Sequence, residues 1–363
     1  MLIKLVKERV LSQPVYEPGK PIEEVARELG LDPQGIAKLA SNENPFGSSP
    51  KAVDAVRSWA QDAWLYPDAS CYELKRRLAQ KRGVAPEQLI LGNGSNEIIE
   101  LLGHAFLGEG DEVVFGSQAF IVYKLVTLLF GARPVEVPMP DFTHDLGAMA
   151  NAVSDRTRLV FVASPNNPTG TANSEAELLE FARALPDHVV FCLDEAYAEY
   201  CETPPNLCAL MAEGRNVICM RTFSKIYGLA GFRIGYGYSG AEMAALLNRV
   251  RQPFNVNAAA QVAACAALED DAFVQDCRHR NLVNGRELAE GLRQLGLDPV
   301  PSEANFLLVE LPNASEAFET LQRGGVIVRP MQPYQLPNHL RLTIGTQEQN
   351  QKMLNLLSGY LHG

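Results

Sequence analysis

Short apolar runs alternate with longer stretches of helical periodicity through the middle of this chain. The runs at 89–91, 112–115, 158–163, 189–193 and 217–221 are brief and almost uniformly apolar, which predicts strands buried on both faces. Between them, Ile98, Ile99, Leu101, Leu102, Ala105 and Phe106 recur at helical spacing. Ser174 followed by Glu177 predicts a capping box that opens a helix running to Ala184. Strands alternating with helices in this way predict an α/β fold with a mostly parallel sheet. After Gly235 the pattern changes. Helical periods at 241–248, 258–268 and 271–295 lead into strand-like runs at 306–309, 326–328 and 340–344, and Thr346 with Gln349 predicts a second capping box and a last helix. Pro253 interrupts the helical pattern, so a large domain over 31–252 and a smaller α+β domain over 253–363 are expected. Pro14, Pro18, Gly19 and Pro21 make 1–30 read as an extended arm laid across a surface.

Composition narrows the choice of function. With 363 residues, 47% of them hydrophobic and 21% charged, the chain can bury one large core and a second, smaller one. A formal net charge of -11 repels polyanions, so neither nucleic acid nor an anionic membrane is an expected partner, and an anionic ligand must meet local arginines. The seven cysteines include no Cys-x-x-Cys pair, so no metal site is expected, and reduced thiols of a cytoplasmic protein are the simplest reading. Lys4, Lys7, Glu8 and Arg9 break the amino-terminal apolar residues, unlike a secretory signal, and no segment approaches the roughly 20 apolar residues that cross a bilayer.

Four segments end strands with residues capable of chemistry. In Thr222-Phe223-Ser224-Lys225, a lysine leaves a buried strand, where desolvation or neighbouring positive charge would lower its pKa enough for attack on an aldehyde. The two hydroxyls before it, and Arg233 eight residues later, are suited to a phosphate; taken alone, the lysine reads as an ordinary solvated side chain. Asp194 closes another strand, either to pair with a protonated ring nitrogen or simply to cap the next helix. The turn Ser164-Pro165-Asn166-Asn167-Pro168-Thr169-Gly170 can aim an amide inward or be purely structural. Finally, Leu91-Gly92-Asn93-Gly94-Ser95-Asn96 runs from strand through a glycine turn into a helix, an arrangement that binds phosphate on freed backbone amides. It lacks the third glycine of a dinucleotide fingerprint.

Taken in chain order, from the glycine turn through the amide and the acid to the lysine, the segments resemble the fold-type I pyridoxal-phosphate aminotransferases, and most closely the histidinol-phosphate aminotransferase family. The likeness runs from Leu39-Ala40-Ser41-Asn42-Glu43-Asn44-Pro45-Phe46-Gly47 through Tyr66-Pro67-Asp68 and the segments above to Leu340-Arg341-Leu342-Thr343-Ile344-Gly345. It implies pyridoxal 5'-phosphate held by Lys225 as a Schiff base, Asp194 on the pyridine nitrogen, and Asn167 and Tyr197 on the ring oxygen. Gly94, Ser95, Asn96, Thr222, Ser224 and Arg233 would hold the cofactor, chiefly its phosphate, with Tyr66 reaching it from the other subunit of a homodimer. Phe120 would stack on the ring where the family commonly has tyrosine. Arg341 would bind the substrate carboxylate and Arg329 its distal anion, with Tyr16 and Asn44 as further substrate contacts. The partners are then an amino donor and a 2-oxo acid. Histidinol phosphate with 2-oxoglutarate, as in histidine biosynthesis, is the first expectation. An aromatic amino acid is the alternative, with Phe120, Ile121 and Met331 as an apolar pocket; a lyase or decarboxylase on the same cofactor is a third. A regulator that merely keeps the fold is disfavoured, because Lys225 and Asp194 are both present.

Overall fold

Each strand expected in the middle region forms, and together they build one twisted sheet. The computed structural model describes residues 2–15 and 19–362. A short strand β1 (Ala37–Lys38) precedes β2 (Leu89–Gly92), β3 (Glu112–Gly116), β4 (Arg133–Val137), β5 (Thr157–Ala163), β6 (Val190–Asp194), β7 (Val217–Thr222) and β8 (Gly235–Ser239). Among the described residues the large sheet has seven strands in the order β2-β8-β7-β6-β5-β3-β4. Pairing from β7 to β4 is parallel, and only β8 runs against its neighbours. The carboxyl ends of β3, β5, β6 and β7 therefore share one edge, where open α/β sheets bind ligands.

The alternation of side chains explains why both faces are apolar. On β5, Val160 and Val162 join one core with Leu178, Phe181 and Ala260, while Leu159 and Phe161 join the opposite one with Ile98 and Leu102. The Ser174 capping box opens the helix Glu175–Ala184 as predicted. Two strands of the large sheet carry no such apolar run. β4 contains Pro134, which a sheet tolerates only at its edge, and the edge is where β4 lies. β8 reads Gly-Tyr-Gly-Tyr-Ser, without an apolar run. Its glycines are required by close approach: a Cβ on Gly235 would lie 2.4 Å from the Ser95 amide nitrogen.

A second core lies beside the first. It is built on β9 (Phe306–Glu310), β10 (Val326–Ile327), β11 (Arg329–Pro330) and β12 (His339–Thr343), with β11-β12-β9 antiparallel and β10 paired in parallel with β1. Leu307, Val309, Leu340 and Leu342 pack there against Leu288, Leu292, Met353 and Leu357. Thr346 and Gln349 cap the last helix, Gln347–His362, reciprocally.

The organisation differs from expectation at both ends. The helix Ala258–Leu268 belongs to the first core through Ala260, Ala263, Ala264 and Ala267, so the chain does not change core at Pro253. It crosses along the helix Asp271–Gln294, whose Cys277 lies in the first core and whose Leu288 and Leu292 lie in the second. Nor is 19–30 an arm. Ile22–Leu29 is a helix closed by Gly30 at φ 66°, with Val25 and Ala26 buried against Ile36, Ala40 and Ile327. The prolines before it masked a regular helical signal.

Beneath the sheet edge lies a buried ionic network. Arg221 on β7 grips Glu195 through Nε and Nη2 at 3.1 Å each and donates to Glu199 at 3.0 Å; Arg82 reaches Glu199 at 2.9 Å, and the Tyr238 hydroxyl donates to Glu195 at 2.6 Å. Removing one partner strands a buried charge, so Arg221→Met is predicted to lower stability by about 3–5 kcal/mol, read from urea unfolding. A loss under about 1 kcal/mol would show that Glu195 finds compensation elsewhere.

Candidate active site

The shared carboxyl edge opens into a cavity of ≈ 260 Å³. Lys225, Asp194, Tyr197, Asn167, Phe120, Ser95, Asn96, Thr222, Ser224, Arg233, Arg329 and Arg341 all line it. Lys225 follows β7 by three residues. Its Nζ donates to the Ser41 carbonyl at 3.1 Å and lies 5.6 Å from the centre of the Tyr197 ring. Burial, then the positive charges of Arg341 and Arg233, press its pKa from 10.5 down to about 7 against the opposing pull of Glu43 and Asp194. Near neutral pH a large fraction of this amine is therefore unprotonated.

Asp194 ends β6 and is buried. Its Oδ2 accepts from the Tyr123 hydroxyl at 2.7 Å and its Oδ1 from the Ala196 amide at 3.1 Å. Burial raises its pKa to about 6 although both hydrogen bonds and the Lys225 charge oppose the rise. A cationic ring nitrogen brought against it would restore the carboxylate, which is what a buried acid facing a cavity is suited to do. Tyr123 was missed in the sequence. It is fixed by stacking on Phe161, centroids 4.5 Å apart and nearly parallel, and by the edge of Phe120 at 5.8 Å. Its one signal is the three-residue spacing from Phe120.

Another part of the cavity wall gathers groups suited to an anion. Ser95 and Asn96 open the 12-residue helix Ser95–Phe106, whose first amides have no partner within the helix. Arg233 Nη1 donates to Ser224 Oγ at 3.3 Å, and the Ser224 amide donates to Thr222 Oγ1 at 3.1 Å. Gly94 sits at φ 76°, and a Cβ there would lie 2.6 Å from Arg233 Nη2, so the position must be glycine for the guanidinium to reach the helix start.

The second core supplies two arginines. The register of β11 with β12 sets Arg329 directly opposite Arg341. Arg341 is buried, donates from Nη2 to the Ala40 carbonyl at 2.7 Å and from Nη1 to Asn167 Oδ1. Asn167 thus links the two halves as well as lining the cavity. The turn carrying it contains two cis peptide bonds, Ser164–Pro165 and Asn167–Pro168.

Some expected residues lie elsewhere. Asn44 does not line the cavity: its amide donates to the Ile226 carbonyl at 2.8 Å and to Cys277 Sγ at 3.3 Å, and its Oδ1 accepts from the Phe46 amide. It holds a turn, and Asn42, two residues earlier, faces the cavity in its place. Ile121 and Met331 pack with Leu308, Tyr334 and Leu336 and do not form a wall of the cavity. Tyr66 is 84% exposed, stacked on Phe254 at 4.9 Å, outside the cavity. Tyr16 lies outside the described residues.

A lowered-pKa amine, a buried acid and groups suited to an anion at one sheet edge are the equipment of a pyridoxal-phosphate-dependent transferase of fold type I, and the donor set fits that cofactor. The family model for aminotransferase class I and II matches residues 34–357. A histidinol-phosphate aminotransferase of Pseudomonas fluorescens is 49% identical over 95% of this chain and 94% of its own, and one from Moorella thermoacetica is 48% identical over 97% and 92%. The crystal structure of histidinol-phosphate aminotransferase from Sinorhizobium meliloti in complex with pyridoxal-5'-phosphate superposes with a TM-score of 0.88 at 29% identity, covering 98% of this chain and 96% of that one. Aspartate aminotransferase from Thermus thermophilus with maleate gives 0.84 at 27% identity, covering 98% and 99%. The chain belongs to the class I and II aminotransferases, enzymes of pyridoxal 5'-phosphate, and within them to the histidinol-phosphate aminotransferase family.

The lowered pKa of Lys225 has a kinetic consequence. Only the free amine attacks an aldehyde, so the rate at which cofactor-free protein captures pyridoxal phosphate is predicted to climb with pH through about 7 and then flatten. A rate still climbing toward the ordinary value of 10.5 would contradict the assignment.

Proposed function

We propose that this enzyme transfers an amino group between L-histidinol phosphate and 2-oxoglutarate, as the names of its relatives indicate for those proteins. The observation that carries the reading is the placing of Lys225 in one cavity with two arginines on adjacent strands. When bound, pyridoxal phosphate supplies an aldehyde that condenses with amines and a ring that accepts the electron pair left as an α-proton departs.

The chain's own residues do the rest. Ser95, Asn96, Thr222, Ser224 and Arg233 hold the phosphate, with Gly94 leaving room for the guanidinium. Asp194 keeps the ring nitrogen protonated, and Tyr197, whose phenol burial holds neutral with a pKa of about 12, donates to the ring oxygen alongside Asn167. Phe120, in the cavity wall, would stack on the ring. Lys225 Nζ takes the α-proton of the substrate and returns a proton as general base and acid. Arg341, a planar fork held by Ala40 and Asn167, suits a carboxylate, and Arg329 opposite it takes the distal carboxylate or the phosphate ester.

The active unit is a homodimer in this reading. Tyr66, Trp64 and Leu65 form an exposed apolar strip that a second copy would cover, carrying Tyr66 to the partner's phosphate cradle. Free cysteines suit the cytoplasm.

The test is turnover of purified, cofactor-loaded protein with histidinol phosphate or phenylalanine and 2-oxoglutarate as acceptor. The phosphate ester is expected to be the better substrate by about tenfold or more in kcat/KM, with stoichiometric formation of glutamate. No turnover of the ester rejects the substrate. Carbon dioxide or ammonia released in place of glutamate rejects transamination. Lys225→Ala is predicted to lose the visible absorbance and to lower turnover by orders of magnitude.

A further inference from the structure

Asn42 is an unusual residue in an unusual conformation. It is buried, and its φ of 55° lies in the left-handed region that asparagine tolerates and glycine prefers. It sits where the chain leaves β1 and runs beside β12, its carbonyl accepting from Asn305 Nδ2 at 3.1 Å. Its side chain spans the gap between β12 and Tyr197. The Asn42 amide N–H donates to Thr343 Oγ1 at 3.1 Å, Thr343 Oγ1 donates back to Asn42 Oδ1 at 3.1 Å, and Asn42 Nδ2 donates to the Tyr197 hydroxyl at 2.9 Å.

These bonds have a direction. The Thr343 hydroxyl accepts from a backbone amide and gives its proton to Asn42 Oδ1, which fixes the side-chain amide with its NH2 toward Tyr197. Turning the amide over would set an NH2 against a hydroxyl that already accepts from the Asn42 backbone, and deprive the buried threonine proton of that acceptor. With a donor occupying its oxygen from behind, the Tyr197 hydroxyl directs its own hydrogen into the cavity.

We infer that Asn42 and Thr343 are positioning residues that order the protons around Tyr197, so that its hydroxyl acts only as a donor to the oxygen of the bound ring. Thr343 lies two residues beyond Arg341 on β12, so the relay ties the strand that bears a substrate-facing arginine to the phenol that faces the cofactor. The inference rests on the proposed placing of the cofactor between Lys225 and Tyr197.

A donor on the ring oxygen lowers the proton affinity of the Schiff-base nitrogen that shares a proton with it. The readout is therefore the pH midpoint of the visible absorbance of the cofactor-loaded protein. Asn42→Gly removes the amide while keeping a residue at ease at positive φ, and is expected to raise the midpoint by about 0.5–1 pH unit. Thr343→Val, nearly isosteric, is expected to shift it in the same direction. Tyr197→Phe raises it at least as far, and adding Asn42→Gly to Tyr197→Phe gives no further rise, because the relay acts through the phenol. An unchanged or lowered midpoint in both Asn42→Gly and Thr343→Val, or additivity with Tyr197→Phe, overturns the inference. Unaltered protein without a visible band overturns the placing of the cofactor itself.

Discussion

A buried amine with a pKa pressed to about 7 is the feature around which the rest of the molecule is arranged. An ordinary lysine at 10.5 is an ammonium ion at neutral pH and no nucleophile. Burial is the largest cause of the shift, and the nearby guanidinium groups of Arg341 and Arg233 add to it. Asp194 and Glu43 pull the other way without winning. The same low-dielectric cavity that frees the amine raises Asp194 to about 6, so the two groups are poised near neutrality from opposite sides. Such a pair of displaced pKa values marks an acid–base site, and bringing it together requires strand ends from one sheet and arginines from a second core.

The parallel sheet provides the rigid half. Asp194, the turn after β5 and the Lys225 loop after β7 all leave the same edge, and Arg221 ties Glu195, the residue after Asp194, and Glu199 to β7. The second core provides the other half. Arg341 reaches Asn167 and Ala40, and Thr343 reaches Asn42, so β12 is stitched to the cavity by side chains at alternate positions of one strand. In the proposed reading, substrate recognition and cofactor orientation therefore share a structural element. A shift of β12 would move both.

Much of this was legible in the chain itself. Uniform apolar runs marked β2, β3, β5, β6 and β7, and periodicity with capping residues marked the helices at 95–106, 175–184 and 347–362, because local signals and tertiary burial agree there. Lys225, Asp194 and Arg233 stood out because each combines a polar group with a strand end or a glycine loop. What escaped notice depended on contacts between distant segments. β8 is rich in glycine because Ser95 presses against it, Tyr123 matters through Asp194, 71 residues away, and Asn42 through Thr343, 301 residues away. Asn44 is expected in the site and Asn42 occupies it, because sequence cannot tell which of two neighbouring amides a turn consumes. Proline punctuation likewise concealed the helix at 22–29 and suggested a break at 253 that packing does not respect.

In the proposed mechanism a single lysine, Lys225, carries the cofactor. Borohydride reduction of the loaded protein, followed by proteolysis and mass mapping, tests it directly. A single pyridoxyl group is expected on the peptide containing Lys225. A label on any other lysine, or no covalent label at all, would contradict it.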